Sequence, residues 1–340
     1  MVKNQQGFSL IEILVGLIIG LLATLVIMQV FSAFEGQKRS TTGTADAQVN
    51  GNIALYNVQR ELQFAGYALP TFDKSNSALS CPTATVVNIG TSATPVNVAL
   101  FPVAITDTGG RDSIAVRYGA TVGAGIPVRV KLLSGSVIDV PNALGCAVND
   151  AILLNSAGKC NVTKVTAINV VANADDRITL ENNAGVAQGD KVSCLGTWTQ
   201  ASYSINNNQL ERNGAPIVAE IVDLQAQYGI SASASSNQIT AWVNATAATG
   251  WATPSVTNRN RIKAIRVAIV ARNGLLEKTA VSSNCSSRTA AAPTGLCAWE
   301  GSATSPAPAL TVNTLANWQN YRYRVFETII PLRNMLWAKN

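Results

Sequence analysis

The sequence predicts an α+β fold: one long N-terminal α-helix, apolar in its first half and amphipathic in its second, packed on a β-rich antiparallel head. Three observations carry this. From Phe8 to Phe34 the only ionisable side chain is Glu12. From Glu35 to Gly66 apolar residues return at helical spacing. From Ser113 onward, short segments alternate apolar and polar residues with period two, the pattern of half-buried strands.

The apolar run comes first. At about 1.5 Å per residue, Phe8 to Phe34 makes roughly 40 Å of helix, enough to cross a bilayer core of about 30 Å with some tilt. A cleaved signal peptide would have a shorter apolar core closed by a small-x-small site. Here Glu35-Gly-Gln-Lys38-Arg39 follows instead, so the segment is expected to be retained. Gly16, Gly20 and Thr24 fall four apart, a small-residue stripe that permits close helix–helix approach.

Glu12 is the exception in that run. A carboxylate inside an apolar span costs about 2–3 kcal/mol near the centre and less near the edge, so it calls for a partner charge. Gly7 stands immediately before Phe8. A cut between them would place a new α-amino group on Phe8, one helical turn from Glu12. In an assembly of such helices, Glu12 of one subunit could pair with the amine of a neighbour and neutralise both charges.

In the second half, Leu55, Val58, Leu62 and Ala65 form an apolar stripe with Gln59, Arg60 and Gln63 between them. Gly66 is a natural stop because glycine accepts the left-handed conformation at a helix end, and Pro70 follows. One helix is therefore expected from about Phe8 to Ala65, with Gly36 and Ser40–Gly43 loosening its middle. The domain reading is 1–7 as a leader, 8–34 as the membrane or filament-core helix, 35–66 as its amphipathic continuation, and 67–340 as the head.

Within the head, residues 67–112 read as loop-rich, with Pro70, Pro82, Pro95 and Pro102. Strands are expected at 113–118, 128–132, 136–140, 162–171, 177–180 and 190–195. Asn206-Asn-Asn208 should turn a hairpin between Ser202–Ile205 and Gln209–Arg212. Ile217–Tyr228 is ambiguous between helix and strand, with strand favoured for its second half. Residues 231–260, rich in Ser, Ala, Asn and Thr, read as an exposed insertion. Ile262–Arg272 reads as a central strand. In the closing segment 321–334, Tyr321, Tyr323 and Val325 share one face and Arg322 and Arg324 the other.

Composition narrows the function. The 340 residues are 47% apolar and 13% charged, with a net charge of +6 spread thinly. The absence of a Lys/Arg block argues against a nucleic-acid footprint. There is no histidine, which removes His-based triads, general bases and metal ligands. P-loop, GxSxG and Rossmann glycine patterns are missing. Asp175, Asp176 and Glu181 come nearest to a calcium-ligand cluster, without EF-hand spacing. No enzyme activity, cofactor or metal is expected.

The six cysteines, Cys81, Cys146, Cys160, Cys194, Cys285 and Cys297, all follow the apolar segment. An even count beyond an anchor fits an oxidising compartment and three disulfides. Six cysteines allow 15 pairings. Pairing of nearest neighbours would give 81–146, 160–194 and 285–297.

Gly7-Phe8-Ser9-Leu10-Ile11-Glu12 with the apolar run behind it resembles the leader junction of type IV pilins and type II secretion pseudopilins. The resemblance implies cleavage after Gly7 by a prepilin peptidase, methylation of Phe8, and a docking role for Glu12 in filament assembly. Major pilins often carry a helix-breaking proline further in, and Ala23–Val30 has none. The ending Tyr-Arg-Tyr-Arg-Val-Phe-Glu-Thr-Ile-Ile-Pro-Leu-Arg-Asn, with the Ile262–Arg272 strand, is similar to the PilW group of minor pilins, itself similar to the J-type pseudopilin. That resemblance implies a pilin-like head and a structural role: priming type IV pilus assembly within an initiating or tip complex. The implied partners are other minor pilins, the major pilin, the prepilin peptidase, the inner-membrane assembly platform and a tip adhesin. The implied location is the inner membrane with the head in the periplasm, then the pilus tip. A J-type secretion pseudopilin is the alternative, and a membrane-anchored binding module or enzyme a third reading.

Overall fold

The computed structural model describes residues 7, 9–71, 77–81, 84–86, 96–98, 100–121, 123, 125–143, 145–156, 159–183 and 185–336. One helix, Leu10–Phe64, dominates it. Its 55 residues make roughly 82 Å at about 1.5 Å each. It is helical throughout, including Gly36 and Ser40–Gly43. There Thr41 and Thr44 return their hydroxyls to the Gln37 and Ser40 carbonyls at 2.9 and 2.8 Å, so no loosening is seen. Gly66 closes the helix at φ +75°, as its left-handed freedom predicts, and donates its N–H to the Arg117 carbonyl.

Among the described residues the head holds three sheets. The second half of the helix lies on a four-stranded antiparallel sheet ordered Ile239–Val243, Ile221–Ser231, Ile262–Arg272, Tyr323–Pro331. Ile262–Arg272 is central, paired on both edges, as its strongly apolar run predicts, with Lys263 and Arg266 buried among its apolar residues. Ile221–Ser231 is also buried along its whole length, although Asp223, Gln225 and Gln227 line one face; there Gln227 Nε2 donates to the Pro306 carbonyl and the Thr311 N–H to Asp223 Oδ2. Together with Ala215–Ala219 it resolves the ambiguous 217–228 segment as two strands.

A five-stranded sheet, ordered Ala215–Ala219, Gln209–Arg212, Thr199–Asn206, Ser113–Tyr118, Val103–Thr106, shares its core with the helix and the four-stranded sheet. The predicted hairpin is there, its turn made by Asn207 and Asn208 at φ +47° and +57°. Two buried polar groups stitch the sheets. The Ile105 N–H donates to the Tyr228 hydroxyl at 2.7 Å, and the Ala226 N–H donates to Asp112 Oδ2 at 2.7 Å.

The third sheet has nine strands among the described residues and cores of its own. Its main path contains Lys191–Gly196, Ala151–Ser156, Lys159–Asn169 and Asp176–Leu180, all antiparallel. Ala84–Val86 adds a parallel pairing to Lys159–Asn169. Ala84–Val86, Val96–Val98 and Val103–Thr106 correct the loop reading of 67–112. Prolines punctuate that region, but Ala84–Val86 pairs with Val96–Val98 and with Lys159–Asn169, and Val103–Thr106 pairs with Ser113–Tyr118.

Residues 231–260 also differ from expectation. They supply the edge strand Ile239–Val243 and the short helix Val256–Arg261, and they bury Ala245 and Trp251. Their small polar composition hid an element whose partner, Ile221–Ser231, supplies the apolar surface.

Candidate assembly interface

The first half of the helix is the candidate assembly surface. Every large apolar side chain from Leu10 to Phe34 is exposed, and none of the apolar window is covered by the head. Seventeen such side chains left in water would forfeit tens of kcal/mol of burial, on the order of 1.5 kcal/mol each or more. A bilayer or a bundle of like helices would supply that burial.

At its start, the Ser9 backbone N–H donates to Glu12 Oε2 at 3.0 Å. This is the reach-back half of a capping box: a carboxylate at the third helical position satisfies a donor the helix leaves orphaned. Glu12 is exposed, so its charge is presented at the positive end of the helix. Gly7 is exposed, and Phe8 lies outside the described residues. Gly16 and Gly20 are exposed with no atom within 4 Å of where a Cβ would sit, leaving open the approach a neighbouring helix would need.

The second half grips the head through a stripe that only partly matches expectation. Val58, Leu62 and Ala65 are buried, whereas Leu55 is half-buried. The buried face runs on through Gly43, Ala47, Gly51 and Ala54. A Cβ on Gly51 would overlap the Phe326 ring, and one on Gly43 would overlap the Asn273 amide. These small residues let the sheet press against the helix backbone. The four-residue spacing of Gly43, Ala47 and Gly51 was a legible signal that a search for large apolar residues passes over.

Glu61 locks the end of the grip. Its carboxylate accepts from the Tyr118 and Tyr203 hydroxyls at 2.7 and 3.1 Å and from Arg212 Nη2 at 3.1 Å. Burial works against its charge, but Arg212 and Tyr118 outweigh it, and the carboxyl sits below its ordinary 4.5. Burial and the adjacent carboxylate push both tyrosine hydroxyls up to about 12.

All six cysteines are bonded, but two of the three expected pairs are wrong. The bridges are Cys81–Cys160, Cys146–Cys194 and Cys285–Cys297. Parallel pairing of Thr85 with Asn161 and Val86 with Val162 brings Cys81 to Cys160. Cys194, opposite Ile152 in the same sheet, then meets Cys146 from the turn that follows Val137–Val140. Only the 285–297 pair is short enough in sequence for nearest-neighbour reasoning to hold.

The carboxylates weighed for calcium are spent elsewhere. Asp175 pairs with Lys131 at 2.6 Å, Asp176 accepts the Ala143 and Val171 N–H groups, and Glu181 faces Lys164 at 4.0 Å. Among the described residues no group of three or more His, Cys, Asp or Glu is arranged to hold a metal.

Comparison with known proteins bears on both ends of the chain. Residues 186–334 match the family model for the type IV pilus-assembly protein W. Residues 2–28 match the prokaryotic N-terminal methylation motif. No curated protein matches the chain. Among solved structures, a type IV-like pilin from Thermus thermophilus is similar at a TM-score of 0.33 and 10% identity, over 85% of this chain and 96% of that one. The chain thus joins a prepilin-type amino terminus to a carboxyl-terminal region that matches the PilW family model.

Proposed function

We propose that the chain is a minor pilin that primes type IV pilus assembly within an initiation complex at the filament tip. One observation carries the reading. A fully bare apolar half-helix, opened by Glu12, continues without a break into a disulfide-braced head. Such a piece has no use for its first half until lipid or neighbouring helices cover it. Gly7 and Phe8 would be the processing site, Glu12 the docking charge, and Gly16 and Gly20 the close-packing stripe. Before assembly the helix would anchor the chain in the inner membrane with the head in the periplasm. Its partners would be the prepilin peptidase, the assembly platform, the major pilin and other minor pilins, with a tip adhesin beyond them. A J-type secretion pseudopilin shares the N-terminal features, and neighbouring genes distinguish the two. No part of either role asks the chain to be an enzyme.

Quantitative mass spectrometry of sheared filaments tests this. A peptide beginning at N-methyl-Phe8, in trace amounts beside an abundant major pilin, is the expected result. Mature chain that never enters filaments would favour the pseudopilin, and an uncut chain would refute both. Glu12→Ala should insert in the membrane normally yet be lost from filaments; normal incorporation would remove Glu12 from the docking role.

A further inference from the structure

The apolar run of the helix ends at Phe34, and one loop of the head comes down to that level. Asn273, just past Ile262–Arg272, packs on the helix at Gly43. Three further residues of chain reach at most about 10 Å. Gly43 back to Gly36 is an axial distance of about 10 Å at 1.5 Å per residue. The loop covers that distance: residues 275–279 and the helix residues Gly36, Arg39 and Ser40 line one cleft of about 480 Å³. Gly36 to Ser40 stand about 3–9 Å beyond Phe34 along the helix. The head-group layer of a bilayer is about 5–7 Å deep on each side of its apolar core. With Leu10–Phe34 across a bilayer, the tip of this loop therefore stands in the head-group layer.

The loop is held in a form that suits that layer. The Leu275 N–H donates to Asn273 Oδ1 at 3.0 Å. The Glu277 N–H donates to the Asn320 carbonyl at 2.8 Å, and Asn320 Nδ2 donates back to the Glu277 carbonyl at 3.0 Å. Both neighbours of Leu276 are thus pinned, and its side chain is held outward, 56% exposed. Glu277, the only acid in residues 274–281, is spent on Arg322 at 2.8 Å. Lys278 is exposed and forms no ion pair among the described residues. A fixed leucine therefore stands beside an uncompensated cation. In a lipid interface the leucine gains burial against acyl carbons, and a lysine lays its stem on apolar surface with its ammonium among the phosphates. We propose that residues 274–281 form a second membrane contact, with Leu276 in the lipid interface and Lys278 on anionic head groups. Helix and loop together would fix the rotation of the head about the helix axis, which a single span leaves free. The proposal rests on the reading that Leu10–Phe34 spans a bilayer.

All six native cysteines are bonded, so an introduced cysteine supplies the one reactive thiol. Full-length chains carrying Leu276→Cys, Leu21→Cys or Gln63→Cys, all exposed positions, are labelled with nitrobenzoxadiazole and reconstituted at low density in phosphatidylcholine–phosphatidylglycerol vesicles. Leu21 lies within the apolar run, and Gln63 stands about 43 Å beyond Phe34 along the helix. The label at 276 should emit to the blue of the label at 63. A nitroxide near the acyl carbonyls should quench it more than one deep in the chains, with the opposite order for the label at 21. A label at 276 as water-exposed as that at 63, beside a lipid-covered label at 21, would overturn the proposal. A water-exposed label at 21 would instead refute the bilayer reading itself. Adding Lys278→Glu to the Leu276→Cys chain should weaken the carbonyl-level quenching about twofold with phosphatidylglycerol present and leave it unchanged in phosphatidylcholine alone. Unchanged quenching in both would overturn the part given to Lys278. A blue shift at 276 that grows with protein density and escapes the lipid nitroxides would overturn the proposal by assigning the loop to a second copy.

Discussion

Replacing Gly51 by alanine sets two known effects against each other at one position. Alanine is favoured over glycine in a helix interior by about 1 kcal/mol, so on an isolated helix the change stabilises. At Gly51 the new Cβ would lie 2.6 Å from Phe326 Cζ and closer still to Cδ2 and Cε2, where contacting carbons need about 3.5–4.0 Å. Phe326 cannot swing away freely: it is 9% exposed, and its strand is paired along its length to Ile262–Arg272. Overpacking of this kind costs about 1–3 kcal/mol, and an overlap with three ring atoms belongs at the upper end. The net expectation is destabilisation by about 1–2 kcal/mol, or a melting temperature about 2–6 °C lower for a head of this size. The same change at Gly36, where nothing lies within 4 Å of the new Cβ, should not lower it. Thermal unfolding of the detergent-solubilised full chain, followed by tryptophan fluorescence, reads both. Gly51→Ala combined with Phe326→Leu should recover part of the loss, because the two atoms sets compete for one space. A Gly51→Ala protein that melts at or above the parent temperature, or a double variant whose losses simply add, would refute the close-approach argument.

Three further predictions follow from the head. Glu61 is held below its ordinary 4.5, so its contribution is present above that value and is lost as pH falls through the lower folded one; Glu61→Gln should cost about 1–2 kcal/mol at pH 7 and flatten the acid limb of the stability curve, and an unchanged acid limb would deny the lock its role. Asp112 is pushed up to about 8, chiefly by burial, against an ordinary 3.8, so the stability gained from its bound proton is full below 3.8 and is lost as pH rises to about 8. Asp112→Asn keeps an acceptor for the Ala226 N–H, and denaturant titrations at pH 5 and 8 should show it gaining on the parent as pH rises; a constant difference would place the titration elsewhere. Non-reducing peptide mapping should recover Cys81–Cys160 and Cys146–Cys194, whose loops of 79 and 48 residues restrict the unfolded chain by roughly 4 kcal/mol each, against about 3 for the 12-residue Cys285–Cys297 loop; a Cys81–Cys146 peptide would contradict the strand pairing.

Much of this protein could be read before any coordinates, wherever the determining physics is local. The helix from Leu10 to Phe64, its stop at Gly66, the Asn207-Asn208 turn and the central strand Ile262–Arg272 all depend on residues within a few positions of one another. The exposed Glu12 is likewise a matter of one charge in one apolar run. Long-range pairing decided the rest. Cys81 meets Cys160 because two strands far apart in sequence lie parallel, and no spacing rule contains that fact. Residues 231–260 read as an insertion because their own apolar content is low, and became a sheet edge because Ile221–Ser231 offered the surface to complete. Gly43 and Gly51 carry no side chain to announce an interface, and only the positions of Asn273 and Phe326 show why nothing larger fits. Glu61 reads as one polar residue beside an apolar stripe; its lock required Tyr118, Tyr203 and Arg212 to converge from three strands. Local sequence sets what each segment prefers, whereas burial and pairing are properties of the partners, which only the folded chain brings together.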